Sequence, residues 1–176
     1  LQKGERLLDV GCGTGSLAVR LATVEPGAQV HGIDPDTDVL RRARFKAAEA
    51  GARIDFHEGF LTGEFVADAD PFDIVTSSLV FHQVPLAGKR DLLSMMRRAL
   101  HPAGRLVIAD YGLQRTALMR RLFRATVQTL DGVDDTQPNA DGLLPELVND
   151  AGFAGVEEAR VIPTATGSIS ILTAHC

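Results

Sequence analysis

A chain of 176 residues with 45% hydrophobic and 23% charged residues has the make-up of one soluble globular domain, residues 1–176, large enough to bury a substantial core. A net charge of −5, no long basic block, no tryptophan and one tyrosine argue against a partner that is nucleic acid, wrapped electrostatically or held by stacking. Cys12 and Cys176 make neither a disulfide framework nor a zinc site, no metal-ligand spacing occurs, and no apolar run reaches the ~18–20 residues of a membrane span, so a reducing, cytoplasmic setting is expected.

In chain order, Arg6–Val10 is a short apolar run meeting glycines, which suits a buried strand entering a turn. Ser16–Glu25 carries Leu17, Leu21 and Val24 at helical spacing, and Gln29–Ile33 reads as a second strand stopped by Asp34-Pro35. A helix over Asp36–Ala50 follows, with Asp36 or Thr37 as N-cap and Gly51 as its stop. Arg53–His57 and Phe72–Thr76 are strands three and four. Leu92, Met95, Met96, Ala99 and Leu100 then form the strongest helical stripe in the chain, ended by Pro102-Ala103-Gly104. Arg105–Ala109 is strand five. Thr116–Leu130 is helical, Asp131–Asp141 reads as a polar surface loop, and Leu144, Leu147, Val148 and Ala151 mark a short helix closed by Gly152. Val156–Ile162 and Ser168–Ala174 are the last strands, close enough in sequence to pair antiparallel. Strands alternating with helices predict a three-layer, Rossmann-like α/β sandwich of seven strands, six parallel and one reversed at an edge.

The loop "VGCGTGS" raises the question of its ligand. Gly11, Gly13 and Gly15 lie between a strand and a helix, where backbone N–H groups and a helix N-terminus face the strand ends. The spacing is G-x-G-x-G, with Ser16 at the third glycine of the dinucleotide fingerprint, and no lysine follows to make a phosphate-cradling Walker loop. Asp34, at the end of the second strand, can accept hydrogen bonds from both hydroxyls of an adenosine ribose. NAD and S-adenosylmethionine share that ribose, so the residues alone leave both open. A cap or Asp-Pro turn is the plain alternative for Asp34.

"LLDVGCGTGSLAVRLA", "VHGIDPD", "FDIVTSSLVFHQV" and "LLSMMRRALHPAGRLVIADYG" together resemble the class I S-adenosylmethionine-dependent methyltransferases, within them the small-molecule branch typified by the ubiquinone/menaquinone enzymes. "LVNDAGFAGVEEARV" resembles the last helix and sixth strand of the same family. The resemblance implies strand order 3-2-1-4-5-7-6 with strand 7 antiparallel, and methyl transfer to oxygen or carbon, less readily nitrogen, of a small-molecule acceptor. S-adenosylhomocysteine would be the product. It also implies substrate-capping helices ahead of the first strand, for which this chain has no room before Arg6. The rival classes are an NAD-dependent oxidoreductase and a cofactor-binding protein without turnover.

By the same resemblance, Asp9 and the backbone of Gly11 through Gly13 lie along the methionine part of the cofactor. Cys12 is a small packing residue there rather than a nucleophile. Asp34 matches the ribose acid and Pro35 lies against the adenine. Gly59-Phe60 departs from the family's Gly-Asp pair, whose acid binds the adenine amino group, so here the base must be held by stacking, by backbone or by a neighbour. Ser77, Ser78 and Leu79 flank the methyl-transfer position. "SSLVFHQ" lacks the Asn/Asp-Pro-Pro-aromatic stretch of the amino-group methyltransferases and the Pro-Cys of the cytosine-C5 enzymes.

His82 is the candidate base, because imidazole takes a proton near neutrality; holding a loop in place is the competing role. Tyr111 could orient an acceptor through its hydroxyl, or only pack its ring. The arginines at 115, 120, 121 and 124 read as a solvated helix face.

Overall fold

β1 (Arg6–Val10) forms because four consecutive residues, Leu7 to Val10, are buried between two layers, a pattern only a central parallel strand allows. The computed structural model describes residues 1–176. After β1 come α1 (Ser16–Val24), β2 (Gln29–Asp34), α2 (Thr37–Glu49), β3 (Ile54–Glu58), α3 (Gly63–Asp68) and β4 (Phe72–Ser78). A 3-10 turn at Phe81–Gln83 leads into α4 (Leu86–Ala99) and β5 (Leu100–Tyr111). The chain continues through α5 (Ala117–Ala125), α6 (Val127–Asp131), α7 (Val133–Ala140), α8 (Leu144–Asp150), β6 (Ala154–Thr164) and β7 (Gly167–His175).

The sheet order is β3-β2-β1-β4-β5-β7-β6, with β1 to β5 parallel and β7 antiparallel to both β5 and β6. The reversed strand is therefore interior, as the strand order implied by the resemblance has it, and not at an edge as the spacing alone suggested. β6 takes the outer position after α8, and the tight turn at 165–166 returns β7 into the gap beside β5. Leu8, Val75, Leu93, Met96 and Ile108 centre the larger apolar cluster under α4 and α8; Leu7, Ala18, Ala22 and Val30 centre a smaller one that includes α1. Asp36 is the N-cap of α2, its carboxylate accepting from the Asp38 and Val39 N–H groups at 2.8 and 3.2 Å.

Three further departures come from tertiary contacts that outweigh local propensity. Residues 133–140 are helical despite Pro138, because Thr136 and Asn139 are buried in the protein and Lys89 Nζ donates to the Asp135 carbonyl at 2.7 Å. The helix expected over 116–130 breaks at Thr126, whose backbone sits at φ −116, ψ −78 between α5 and α6. Leu100 begins β5 rather than ending α4, and residues 101–104 are absorbed in a register shift opposite Phe72 and Ile74. The chain builds outward from β1 to β3, then crosses to β4 on the other side of β1. That reversal of order opens a crevice at the carboxyl ends of β1 and β4.

Candidate active site

The crevice is a cleft of about 830 Å³, within the ~300–1,000 Å³ usual for small-molecule sites. Its floor is the glycine loop. Gly11, Gly13 and Gly15 all have positive φ, and Gly11 and Cys12 donate their N–H groups to the Ile33 carbonyl. Gly11 is irreplaceable for two reasons: its φ is +69, and a Cβ there would lie 2.4 Å from Val80 Cγ2. Gly11→Ala should lose ~2–4 kcal/mol of stability from the left-handed backbone and the clash together. Chemical denaturation reads this, and an unchanged midpoint would show that the loop relaxes freely.

Asp9 stands at the end of β1, 1% exposed and lining the cleft, with carboxylate oxygen Oδ1 making no hydrogen bond. Burial, and then the neighbouring Asp34 charge, push its pKa up from 3.8 to about 7. Asp34, at the end of β2, accepts the Gly13 N–H on Oδ2 at 2.8 Å and the Asp36 N–H on Oδ1 at 3.0 Å. The loop and the acid of the next strand are thus fixed to each other. Each Asp34 oxygen retains capacity for a further donor. Lys46 braces the loop from α2, donating to Thr14 Oγ1 at 3.1 Å and Ser16 Oγ at 2.7 Å.

Cys12 is buried and its thiol is pushed up to about 12, chiefly by burial, so it stays protonated. Its sulfur fills the space above Gly32, where a Cβ would come within 2.9 Å of it. Pro35, Gly59, Phe60, Ser78 and Leu79 line the cleft with Gly11 and Gly13. Phe60 is 74% exposed, and Leu79 holds a left-handed backbone at φ 58 while its N–H reaches the Ala109 carbonyl. Ser77 does not line the cleft. It lies beneath it, its hydroxyl donating to the Val10 carbonyl at 2.9 Å and tying β4 to β1.

His82 and Tyr111 are brought together, ring centroids 5.0 Å apart, but behind the cleft wall rather than in it. His82 Nδ1 lies 2.7 Å from Asp110 Oδ1. Asp110, at the end of β5, is 1% exposed and also accepts the N–H groups of Phe81 and Tyr111, each at 2.7 Å. An ionised carboxylate so placed accepts only, so Nδ1 donates to it. Nε2 lies 3.2 Å from the amide nitrogen of Gln83, a cleft-lining residue, and 3.6 Å from Asp131 Oδ2 at the end of α6. The Tyr111 hydroxyl is 2.7 Å from Thr166 Oγ1, and its ring packs on Phe123.

Sequence reasoning missed Gln83, Asp91 and Asp110. Asp110 had a signal, since it directly follows the apolar run of strand five and so sits at the same sheet end as Asp9 and Asp34. Gln83 and Asp91 had none, because a 3-10 turn and one polar position on an amphipathic helix give no pattern.

A family model described as a methyltransferase domain matches residues 1–146. Among curated proteins, the ubiquinone biosynthesis O-methyltransferase of Idiomarina loihiensis is 37% identical over 105 residues, covering 58% of this chain and 41% of that protein. The ubiquinone/menaquinone biosynthesis C-methyltransferase of Paracoccus denitrificans is 34% identical over 123 residues, covering 68% and 48%. Magnesium protoporphyrin IX methyltransferase from Synechocystis, solved with bound S-adenosylhomocysteine, superposes with a TM-score of 0.73 at 21% identity, covering 98% of this chain and 74% of that one. The chain spans about half the length of the curated relatives it matches.

Proposed function

The chain belongs to the methyltransferase-domain family, and from that premise we propose that it binds S-adenosylmethionine in the crevice and transfers its methyl group to an oxygen or carbon, less readily a nitrogen, of a small-molecule acceptor. The observation that carries this reading is the buried carboxylate of Asp9, with one oxygen unpartnered, facing the glycine-loop cleft. An α-ammonium group is what such a carboxylate lacks. The pyrophosphate of NAD, which would lie over the same loop, would instead meet a negative charge. That argues against the oxidoreductase alternative although Asp34 suits either ribose.

In this reading Gly11 through Gly13 on β1 would hold the amino acid end, Asp34 on β2 the ribose, and Pro35, Gly59, Phe60 and Leu61 the base; the strand order and the cleft lining support that arrangement. Ser78, Leu79 and Val80 at the end of β4 would bound the reacting end. Bound there, the cofactor supplies an electrophilic methyl group for in-line displacement by the acceptor, leaving S-adenosylhomocysteine.

The chain's own part is alignment and proton transfer. The rigid loop and the strand ends hold donor and acceptor at attack distance. His82, its ring oriented by Asp110, takes the proton on Nε2 from a hydroxyl or an acidic carbon of the acceptor once Gln83 swings aside. Tyr111 packs against the imidazole and keeps it upright. The proposal includes one cofactor-binding domain over 1–176 and a reducing, cytoplasmic setting; no helix is long and apolar enough to cross a membrane.

Calorimetry with S-adenosylmethionine, S-adenosylhomocysteine and NADH tests the reading: tight NADH binding with no response to either sulfur compound overturns it. The same titration has a pH signature. Below about pH 7 the ammonium must displace a proton from Asp9, so affinity should rise about tenfold from pH 6 to pH 8. A flat profile would remove Asp9 from the ammonium site. Stability of the ligand-free protein runs the other way. The raised pKa means the native state holds this proton longer than the unfolded chain, so the Asp9 contribution falls as pH rises from 3.8 to about 7.

A further inference from the structure

A second cavity, of about 620 Å³, lies beside the cleft and shares Ile33, Gly59 and Phe60 with it. Two histidines that the proposed reaction does not use line it, His31 on β2 and His57 on β3. His31 is opposite Asp55 and Ile33 is opposite His57 in the parallel register, so both imidazoles project from the same face of the sheet. Their rings stack, with centroids 5.5 Å apart and planes 13° from parallel, and His31 Nδ1 lies 3.2 Å from His57 Nε2. Phe72 of β4 stands edge-on to His31 at 5.3 Å, and Phe65 of α3 edge-on to His57 at 5.2 Å.

At that distance the two facing nitrogens share one hydrogen, one ring donating and the other accepting. His31 Nε2 is buried and has no partner. A buried N–H without an acceptor costs more than a bare lone pair, so His31 carries its hydrogen on Nδ1 and donates it to His57 Nε2. A further proton then has no favourable place. At His57 Nε2 it breaks the bond between the rings. At His31 Nε2 it makes a buried cation with no acceptor, in the field of Arg6 of β1. Burial lowers the pKa of both rings from 6.5 and Arg6 lowers that of His31 further, while Asp55, its Oδ2 3.9 Å from His31 Nδ1, opposes the shift in both. Glu58, Glu64, Asp68 and Asp70 line the cavity from exposed positions, where solvent screens them.

The same pair adjoins the cleft wall. From His57 the chain runs through Glu58 into Gly59, Phe60 and Leu61, which line the cleft, and then enters α3, whose Phe65 returns to the His57 ring. The wall is thus a short loop with both ends on one imidazole. α3 buries none of its residues fully, so its hold on the sheet is shallow.

We propose that the His31–His57 pair is an acid-sensitive latch: neutral and hydrogen-bonded it keeps α3 and the wall at 59–61 in place, and a proton taken up by the pair parts the rings and loosens both. The native state binds this proton less readily than the unfolded chain. The contribution of the pair to stability is therefore full above pH 6.5 and is lost as pH falls below it, opposite in sign to that of Asp9. The consequence for the cofactor rests on the S-adenosylmethionine reading above, in which this wall holds the base; the loosening itself does not.

Hydrogen exchange at pH 7.5 and pH 5.0, corrected for the intrinsic rate, reads the latch without any ligand. Residues 59–69 should lose ~10-fold or more of their protection on acidification while α1 keeps its own, since one unit of pKa difference between latched and open forms is a factor of ten. In His57→Gln the carboxamide oxygen still accepts from His31 Nδ1 but takes no proton, and the loss should stay under about threefold. Unchanged protection of 59–69 in the wild type, or an equal loss in His57→Gln, overturns the latch. Calorimetry with S-adenosylhomocysteine at the same two pH values reads the coupling to the cleft. Asp9 acts alike in both proteins, so acidification should cost the wild type ~5-fold or more affinity beyond what it costs His57→Gln. Equal affinity losses overturn the coupling. A wild type that binds S-adenosylhomocysteine at neither pH overturns the cofactor reading, while the exchange result still decides the latch.

Discussion

Asp34→Ala should weaken S-adenosylhomocysteine binding by ~100-fold or more, measured by calorimetry, with only a small loss of stability. Two ribose hydroxyls donate to one carboxylate in the proposed site. Hydrogen bonds to a charged acceptor contribute ~1.5–3 kcal/mol each, so losing the pair removes at least two decades of affinity. A second effect adds to this one. Asp34 Oδ2 anchors the Gly13 N–H at 2.8 Å, and the alanine variant frees the loop that the cofactor's amino acid end must find in place. Stability suffers less because the Gly13 and Asp36 N–H groups lie on the open side of the protein and water can replace the carboxylate. Asp34→Asn keeps one acceptor oxygen and should fall between the two. Unchanged affinity in Asp34→Ala would take the residue out of the ribose site and leave it as the tether of the loop.

Much of this site was legible in the chain because it lies where regular elements end. Asp9, the glycines and Asp34 each terminate a strand, and strands announce themselves through apolar runs such as Leu7-Leu8 and Val30-His31-Gly32-Ile33. The Asp36 cap and the seven strands follow from the same local signals. What escaped depends on contacts between distant segments. α7 is helical because Lys89, 46 residues away, holds the Asp135 carbonyl and Thr136 and Asn139 are buried, facts no window around Pro138 contains. Hairpin spacing fixes only the mutual direction of β6 and β7, and the interior place of β7 came from the strand order that the family resemblance implied. His82 was expected as the candidate base. The structure sets it one layer behind, with Gln83 between its free nitrogen and the cleft, because Asp110 draws the ring toward β5.

That Asp110–His82 pairing carries the second large effect. Asp110→Asn should lower kcat by ~10²- to 10⁴-fold while leaving the affinity for S-adenosylhomocysteine within about twofold, because neither residue lines the cofactor cleft. The native carboxylate receives three donors: the Phe81 N–H, the Tyr111 N–H and His82 Nδ1–H. A carboxamide has one oxygen and one NH₂ group. Satisfying a backbone N–H with that oxygen turns the NH₂ toward a donor, and turning it to His82 moves the ring proton from Nδ1 to Nε2. The base then faces the acceptor with a proton where a lone pair is needed. His82→Ala should cost a similar factor, and the double variant little more than either, as expected of residues acting in one proton transfer. The assay is release of S-adenosylhomocysteine over a panel of phenols and acidic-carbon compounds. A His82→Ala variant with the wild-type rate would make His82 a buried strut between β5 and α6. The acceptor would then have to lose its proton to water or arrive as its anion.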